Sequence, residues 1–348
     1  LRERVQGSFL MRKILFGSAL LLLVAMAAYF RFHHAKPPME VAYGGNRQVT
    51  LWSTTAQVRE PVTTITFGER VDVLKRFQDQ VQVQTASGVT GWIQERDLLS
   101  ADLWLKSKDL STRASAMPIE ARGHTRALAN LHAEPGRDSP RIRQLNKGIP
   151  LDVLERTVVE PAAARTPGAA EEGADTPGKK EDWWLVRAHT LDQTAMAGWV
   201  MGRFIDLDVP EPLPDYASSA AMRIVAWFEL NGVIDEAGKP RSQYLLVGTH
   251  GPEGQPCDFT MLRVYTWGEK RARYETAFVE SGVCGKLPVL VTRSAGPGGD
   301  VAFAFKDLSG NAAEQRTYRM KQTVVRRVRE VGEKPAPKPK PKARKHAG

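Results

Sequence analysis

Two cysteines, Cys257 and Cys284, and seven histidines are the residues of this 348-residue chain best suited to nucleophilic or metal chemistry. A thiolate nucleophile needs a base within hydrogen-bond reach, and a helix start or a nearby cation to lower its pKa. Neither cysteine has that setting. Cys257 opens a strand-like pattern, Cys284 sits in Gly282-Val283-Cys284-Gly285, and the one histidine after either is His346 near the end of the chain. His250 precedes Cys257 but lies in a Gly/Pro-rich loop. The His-Glu-x-x-His metal helix, the Gly-Lys-Ser/Thr phosphate loop and the Gly-x-Ser-x-Gly elbow do not occur. His33-His34 is an exposed neighbouring pair, a weak metal site. The sequence nominates no catalytic residue, no metal ligand set and no cofactor, and the chain is expected not to be an enzyme.

The cysteines fit a structural role better. They flank a candidate hairpin, with strands over Phe259 to Thr266 and Arg273 to Glu280 and Gly268-Glu269-Lys270 between them, at nearly equal distances from the turn. A disulfide between Cys257 and Cys284 across the open end of that hairpin is expected; the alternative is two independent buried thiols acting as small hydrophobes. Sparse cysteine use of this kind agrees with export.

The amino terminus points the same way. Met11-Arg12-Lys13 precedes an apolar run from Ile14 to Phe30 broken only by Gly17 and Ser18, a charged n-region and an h-region, which makes Met11 a candidate start. Two readings compete. A removed signal peptide would use Ala25-Met26-Ala27 as its cleavage site and release a secreted protein. An uncleaved anchor would span the bilayer as a transmembrane helix. Arg31 and Lys36 directly after the run favour the anchor, and the lysine and arginine count on its flanks places the body outside, in the periplasm of an inner-membrane-anchored protein.

The net charge of +10 sits at the ends: residues 1–36 carry six bases against one acid, and residues 331–348 do the same. Taking those from totals of 49 bases and 39 acids leaves 37 of each in between. A neutral body offers no concentrated basic face for phosphates, so no nucleic-acid partner is expected.

The elements between these ends are repeated. In one copy, Arg59-Glu60-Pro61 is followed by Gly68 and then Val71-Asp72-Val73-Leu74-Lys75-Arg76; in the other, Ala133-Glu134-Pro135 is followed by Gly148 and Leu151-Asp152-Val153-Leu154-Glu155-Arg156. Each continues with a second strand, Asp79-Gln80-Val81-Gln82-Val83 or Asp182-Trp183-Trp184-Leu185-Val186, and closes on Gly91-Trp92-Ile93 or Gly198-Trp199-Val200. Period-2 alternation with glycine at the joints argues for half-buried antiparallel strands of a small barrel.

These blocks resemble the bacterial Src-homology-3-like (SH3b) family, whose pattern is a strand ending near Arg and Pro, then Gly-x-x-Val-x-Val-Leu, a Trp-x-x-Val strand and a Gly-x-x-Gly-Trp-Val hairpin. Residues 46–100 and 122–208 match it, about two-fifths of the chain. The first copy departs from it with Gln80-Val81 in place of Trp183-Trp184, and the second carries an Ala/Gly/Pro-rich insert over 160–180 that is expected to be disordered. The resemblance implies binding without catalysis, with peptidoglycan or envelope proteins as partners. Three tryptophans are the candidate ligand contacts: Trp183, Trp92 and Trp199. Adjacent side chains of a strand face opposite ways; by comparison with Val81, Trp184 points inward and Trp183 outward. For Trp92 and Trp199, at matched hairpin positions, core packing weighs ahead of contact.

Residues 1–36 are thus read as the anchor, 46–100 and 122–208 as the barrels, and 101–121 and 209–222 as connectors, the latter stiffened by Val209-Pro210-Glu211-Pro212-Leu213-Pro214. Residues 223–330 carry about seven alternating runs separated by turn chemistry, which predicts an antiparallel sandwich or barrel. Residues 331–348 read as a disordered Pro/Lys tail. The fold class expected is mainly β behind an N-terminal transmembrane helix. The function expected is that of a membrane-tethered envelope scaffold binding through its barrels. The alternative is a sensor or assembly factor whose third domain takes the partner while the barrels act as spacers; an envelope hydrolase ranks below both.

Overall fold

The computed structural model describes residues 39–160, 180–190, 195–294 and 299–328. Three seven-stranded antiparallel sheets and two α-helices make up the described residues. The expected fold is corrected at the transmembrane helix. Among the described residues no helix is long and apolar enough to cross a membrane, and the apolar run over 14–30 lies outside them. The third domain is one continuous seven-stranded antiparallel sheet. The body of the insert (161–179) and the end of the chain (329–348) also fall outside the described residues.

The first sheet contains β1 (Glu40–Gly44), β2 (Gln48–Trp52), β3 (Pro61–Thr66), β4 (Arg70–Phe77), β5 (Gln80–Thr85), β6 (Thr90–Gln94) and β7 (Leu98–Ser100), in the order β3-β2-β6-β5-β4-β1-β7. Alternate residues of six of these strands, among them Ala42, Leu51, Ile65, Val73, Val83 and Ile93, meet in one buried cluster. A sheet whose inward residues all converge on one point must curl around it. Gly68 makes the turn between β3 and β4: its φ is +76°, and a β-carbon there would come within 2.5 Å of the Trp104 ring, so glycine satisfies both demands.

After α1 (Ala101–Ser115) the second sheet repeats the plan: β8 (Ala121–Thr125), β9 (Ala129–His132), β10 (Arg141–Leu145), β11 (Pro150–Val159), β12 (Glu181–His189), β13 (Ala195–Met201) and β14 (Ile205–Leu207). Its order, β10-β9-β13-β12-β11-β8-β14, is the first order with seven added to each strand. Even the irregularity recurs, since a bulge breaks the register at Val73/Lys75 in β4 and at Val153/Glu155 in β11.

Register also corrects one repeat block. Trp52 pairs with Pro61 and His132 with Arg141, so Pro61 corresponds to Arg141; Glu134-Pro135 lies at the other end of the loop. A Glu-Pro pair is common loop chemistry and coincided here without structural equivalence.

The stretch 101–121 is mostly helical. Ser100 Oγ accepts from the Leu103 amide at 3.2 Å, capping the helix start. Within the second unit of the chain, Leu110 and Ala114 of α1 pack on Leu154, Leu185 and Ala197. Within the first, Trp104 stacks on Tyr43 with ring centroids 5.1 Å apart.

The second connector holds α2 (Leu213–Ser219), whose Leu213 and Ala217 are buried against Met222, Leu246, Met261 and Tyr265. Leu246, Met261 and Tyr265 belong to the third sheet, made of β15 (Arg223–Ile234), β16 (Pro240–Thr249), β17 (Phe259–Gly268), β18 (Arg273–Arg293), β19 (Val301–Asp307), β20 (Glu314–Lys321) and β21 (Val324–Val328). It is a pure meander in chain order. The 21-residue β18 pairs with β17 up to Gly285 and with β19 from there on. Phe259, Phe303, Phe305 and Tyr318 form an aromatic core.

Candidate functional site

In β12 the run Asp182-Trp183-Trp184-Leu185-Val186 is buried on both faces. Trp183, expected to face solvent, is 1% exposed and lies edge-on to His132 at 5.2 Å. It has no free face, so its candidacy as a ligand contact is withdrawn. Trp184 is also buried and lines a cleft of about 280 Å³ between the second sheet and the third. Trp199 is half-buried, opposite His132 in the register, and packs on the cluster that α1 covers.

The first sheet differs at each of these places. Gln80 and Gln82 occupy the positions of Trp183 and Leu185, and β5 alternates polar and apolar, as suits a strand with one face in water. Trp92 is half-buried and is the register partner of Trp52. Beside this pair lies an open pocket of about 310 Å³, lined by Trp52, Arg59, Asn46, Gln48, Gln94 and Asp97 among others. The Arg59 guanidinium sits 4.5 Å from the Trp52 ring centroid, which fixes both planes by cation–π attraction. Across the pocket, Asn46 Nδ2 donates to Asp97 Oδ1 at 2.9 Å. The site offers a flat aromatic wall, a cation whose donors suit a carbonyl or carboxylate, and a carboxylate–amide pair that suits a donor. That combination fits an extended peptide, with its regular donors and acceptors. The repeat does not mark Trp52, since His132 stands in its place in the second copy, and only the register shows that Trp52 lies beside Trp92.

The second sheet instead carries a buried ionic junction with the third domain. Arg156 Nη2 donates to Asp182 Oδ1 at 2.6 Å and Nη1 to Asp258 Oδ1 at 3.0 Å, with all three side chains at most 3% exposed. The same guanidinium donates to the carbonyls of Gln255 and Cys257 at 2.9 and 3.1 Å, and Lys286 Nζ adds a second donor to Asp258 at 3.0 Å. Gly254, at φ +81°, turns its amide onto Asp182 Oδ1 at 2.8 Å. The loop presenting these groups is held by a disulfide between Cys257 and Cys284, with Cα atoms 4.9 Å apart. Both thiols of the chain are in that bond, so neither serves as a nucleophile while it stands. Close by, the buried Glu120 carboxylate accepts from the Val289 amide at 3.0 Å; burial, with Asp258 adding repulsion, pushes its pKa up to about 7. Among the described residues no group of His, Cys, Asp and Glu is arranged to hold a metal ion.

No family model and no curated protein matches the chain. Among solved structures it is similar to an NlpC/P60 family protein from Bacillus cereus ATCC 10987, at 12% identity and a TM-score of 0.20 over 52% of this chain and 62% of that one. NlpC2 from Trichomonas vaginalis gives 12% identity and a TM-score of 0.17, covering 78% of this chain and 89% of that one. NlpC1 from the same organism gives 11% and 0.17, covering 81% and 88%. The chain thus spans less than two thirds of the first of these proteins, and superpositions this weak carry no argument about fold or activity.

Proposed function

We propose that this chain is a non-enzymatic binding protein of the cell envelope, whose first curled sheet takes an extended peptide, that of peptidoglycan or of a protein partner, in the pocket between Trp52, Arg59, Asn46 and Asp97. The second sheet and the third domain then form a platform and not a second copy of the site. The observation that carries this reading is the difference between the copies: the Trp52–Arg59 pocket is open, whereas the matching surface of the second sheet is filled by His132 and Trp183. Export, implied by the disulfide and by the SH3b-like motifs, supports the envelope as the place.

Co-sedimentation of the purified full chain with cell-wall peptidoglycan tests it. Retention is expected for the native chain and is expected to drop at least about tenfold in Trp52→Ala, which removes an aromatic wall contributing on the order of 1–2 kcal/mol or more. A native chain that stays in the supernatant ends the peptidoglycan version of the proposal.

A further inference from the structure

The far end of the third sheet carries an arrangement that the fold does not need. Arg319 of β20 and Arg326 of β21 are direct cross-strand partners, both exposed. Like charges placed opposite each other on one sheet face are destabilising. Lys321, two residues along the same face from Arg319, is exposed as well. Among the described residues none of these three cations makes an ion pair or hydrogen bond. Three arginines close to them are engaged: Arg316 pairs with Glu280 and Asp307, Arg327 with Glu314, and Arg293 donates to the Leu230 carbonyl at 2.8 Å.

Strand register continues the row from Arg326 and Arg319 to Ala302 and Thr292, so small residues form a floor beside the cations. The concavity there has a volume of about 690 Å³, and its lining holds four bases, Arg293, Arg319, Lys321 and Arg326, against one acid, Asp300, a net charge of +3. That size suits a bound ligand segment. The lining contains no aromatic residue, which disfavours a nucleobase, since single-stranded nucleic acids are held largely by stacking.

We propose that this groove binds a linear phosphate-bearing polyanion. Two guanidiniums about 5 Å apart at their β-carbons can share one phosphate, which presents several oxygen edges, whereas a carboxylate offers one edge to one fork. Lys321, about 7 Å along the strand, meets the next charged group. The polyanion also relieves the Arg319–Arg326 repulsion that the free protein carries. Residues 331–348, which follow β21 in sequence, carry six further bases. This site is separate from the Trp52 pocket and stands or falls without it.

The test titrates the full chain with short-chain inorganic polyphosphate at two salt concentrations, comparing the native protein, Arg319→Ala/Arg326→Ala, and both again with residues 331–348 removed. The double variant is expected to bind about tenfold more weakly or worse, from the loss of two charge-assisted contacts. It is also expected to show a shallower salt dependence and a melting temperature no lower than native, because a repulsive pair has gone. Removing 331–348 should leave the gap between native and double variant intact. Equal affinity in the double variant, or a gap that vanishes with those residues, overturns the site. Tighter Arg319- and Arg326-dependent binding to anionic phospholipid vesicles or to a single-stranded oligonucleotide than to polyphosphate overturns the choice of ligand.

Discussion

Arg76 and Arg156 occupy the same position in two copies of one fold, and their surroundings could hardly differ more. Arg76 is 38% exposed and pairs with Glu40 and Glu95 in water. Arg156 is 1% exposed and joins two sheets through Asp182 and Asp258. The backbone plan, down to the bulge, is shared, so the difference lies in side chains: Gln80, Gln82 and Thr90 keep one outer face polar, and Trp183, Leu185 and Ala197 make the other apolar enough to be covered. A repeated fold therefore does not imply a repeated function. One copy presents a surface, and the other has given its surface to the architecture.

The comparison is sharpest at those two arginines. Arg156→Ala takes the shared guanidinium from two buried carboxylates, leaving Lys286 on Asp258, and is expected to cost about 3–5 kcal/mol in denaturant unfolding of the full chain. Arg76→Ala should cost under about 1 kcal/mol, as exposed ion pairs do. Comparable losses would mean that the junction is not closed to water as described. Trp183→Ala is expected to lose about 3–5 kcal/mol as well, through the cavity it leaves, with ligand retention unchanged in whatever fraction stays folded. Loss of retention by that folded fraction would return Trp183 to the binding surface. Removing the disulfide by Cys257→Ser/Cys284→Ser should cost about 2–5 kcal/mol, because the bond closes a separation of 27 residues and holds the loop that receives Arg156.

Glu120 adds a pH dependence to the same junction. Its carboxyl titrates near 4.5 in an unfolded chain and at about 7 here. Between those values the unfolded state has released the proton that the folded state keeps, so stability falls as pH rises from about 4.5 to about 7 and then levels off. Glu120→Gln should flatten that slope, gaining about 2–3 kcal/mol at pH 8 and little at pH 4. Parallel stability curves for the two proteins across that range would remove Glu120 as the cause.

The sequence carried the plan of the repeat better than its use. Gly68 and Gly148, the Val-Asp-Val-Leu and Leu-Asp-Val-Leu strands and the Gly-Trp hairpins stand at equivalent places because short-range alternation and turn geometry encode them directly. Trp183 departs from expectation because alternation does not hold in β12. Four successive apolar residues are instead the mark of a strand covered on both faces, and that signal was present. Helix α1 has its own local signals: Ser100 supplies a cap, and Leu103, Ser107, Leu110 and Ala114 recur at helical spacing, against a helix propensity weakened by three serines and a threonine. No local pattern could have joined Arg156 to Asp258, which lies 102 residues away, nor chosen Trp52 over Trp92, since both depend on which surfaces the folded chain leaves open.

Hydrogen–deuterium exchange of the full chain with and without soluble peptidoglycan fragments reads that choice of surface most directly. Slowed exchange confined to residues 46–60 and 92–97, with 129–141 and 183–200 unchanged, is the result expected of one open and one sealed copy. Protection that falls on the second set, or equally on both, would contradict it.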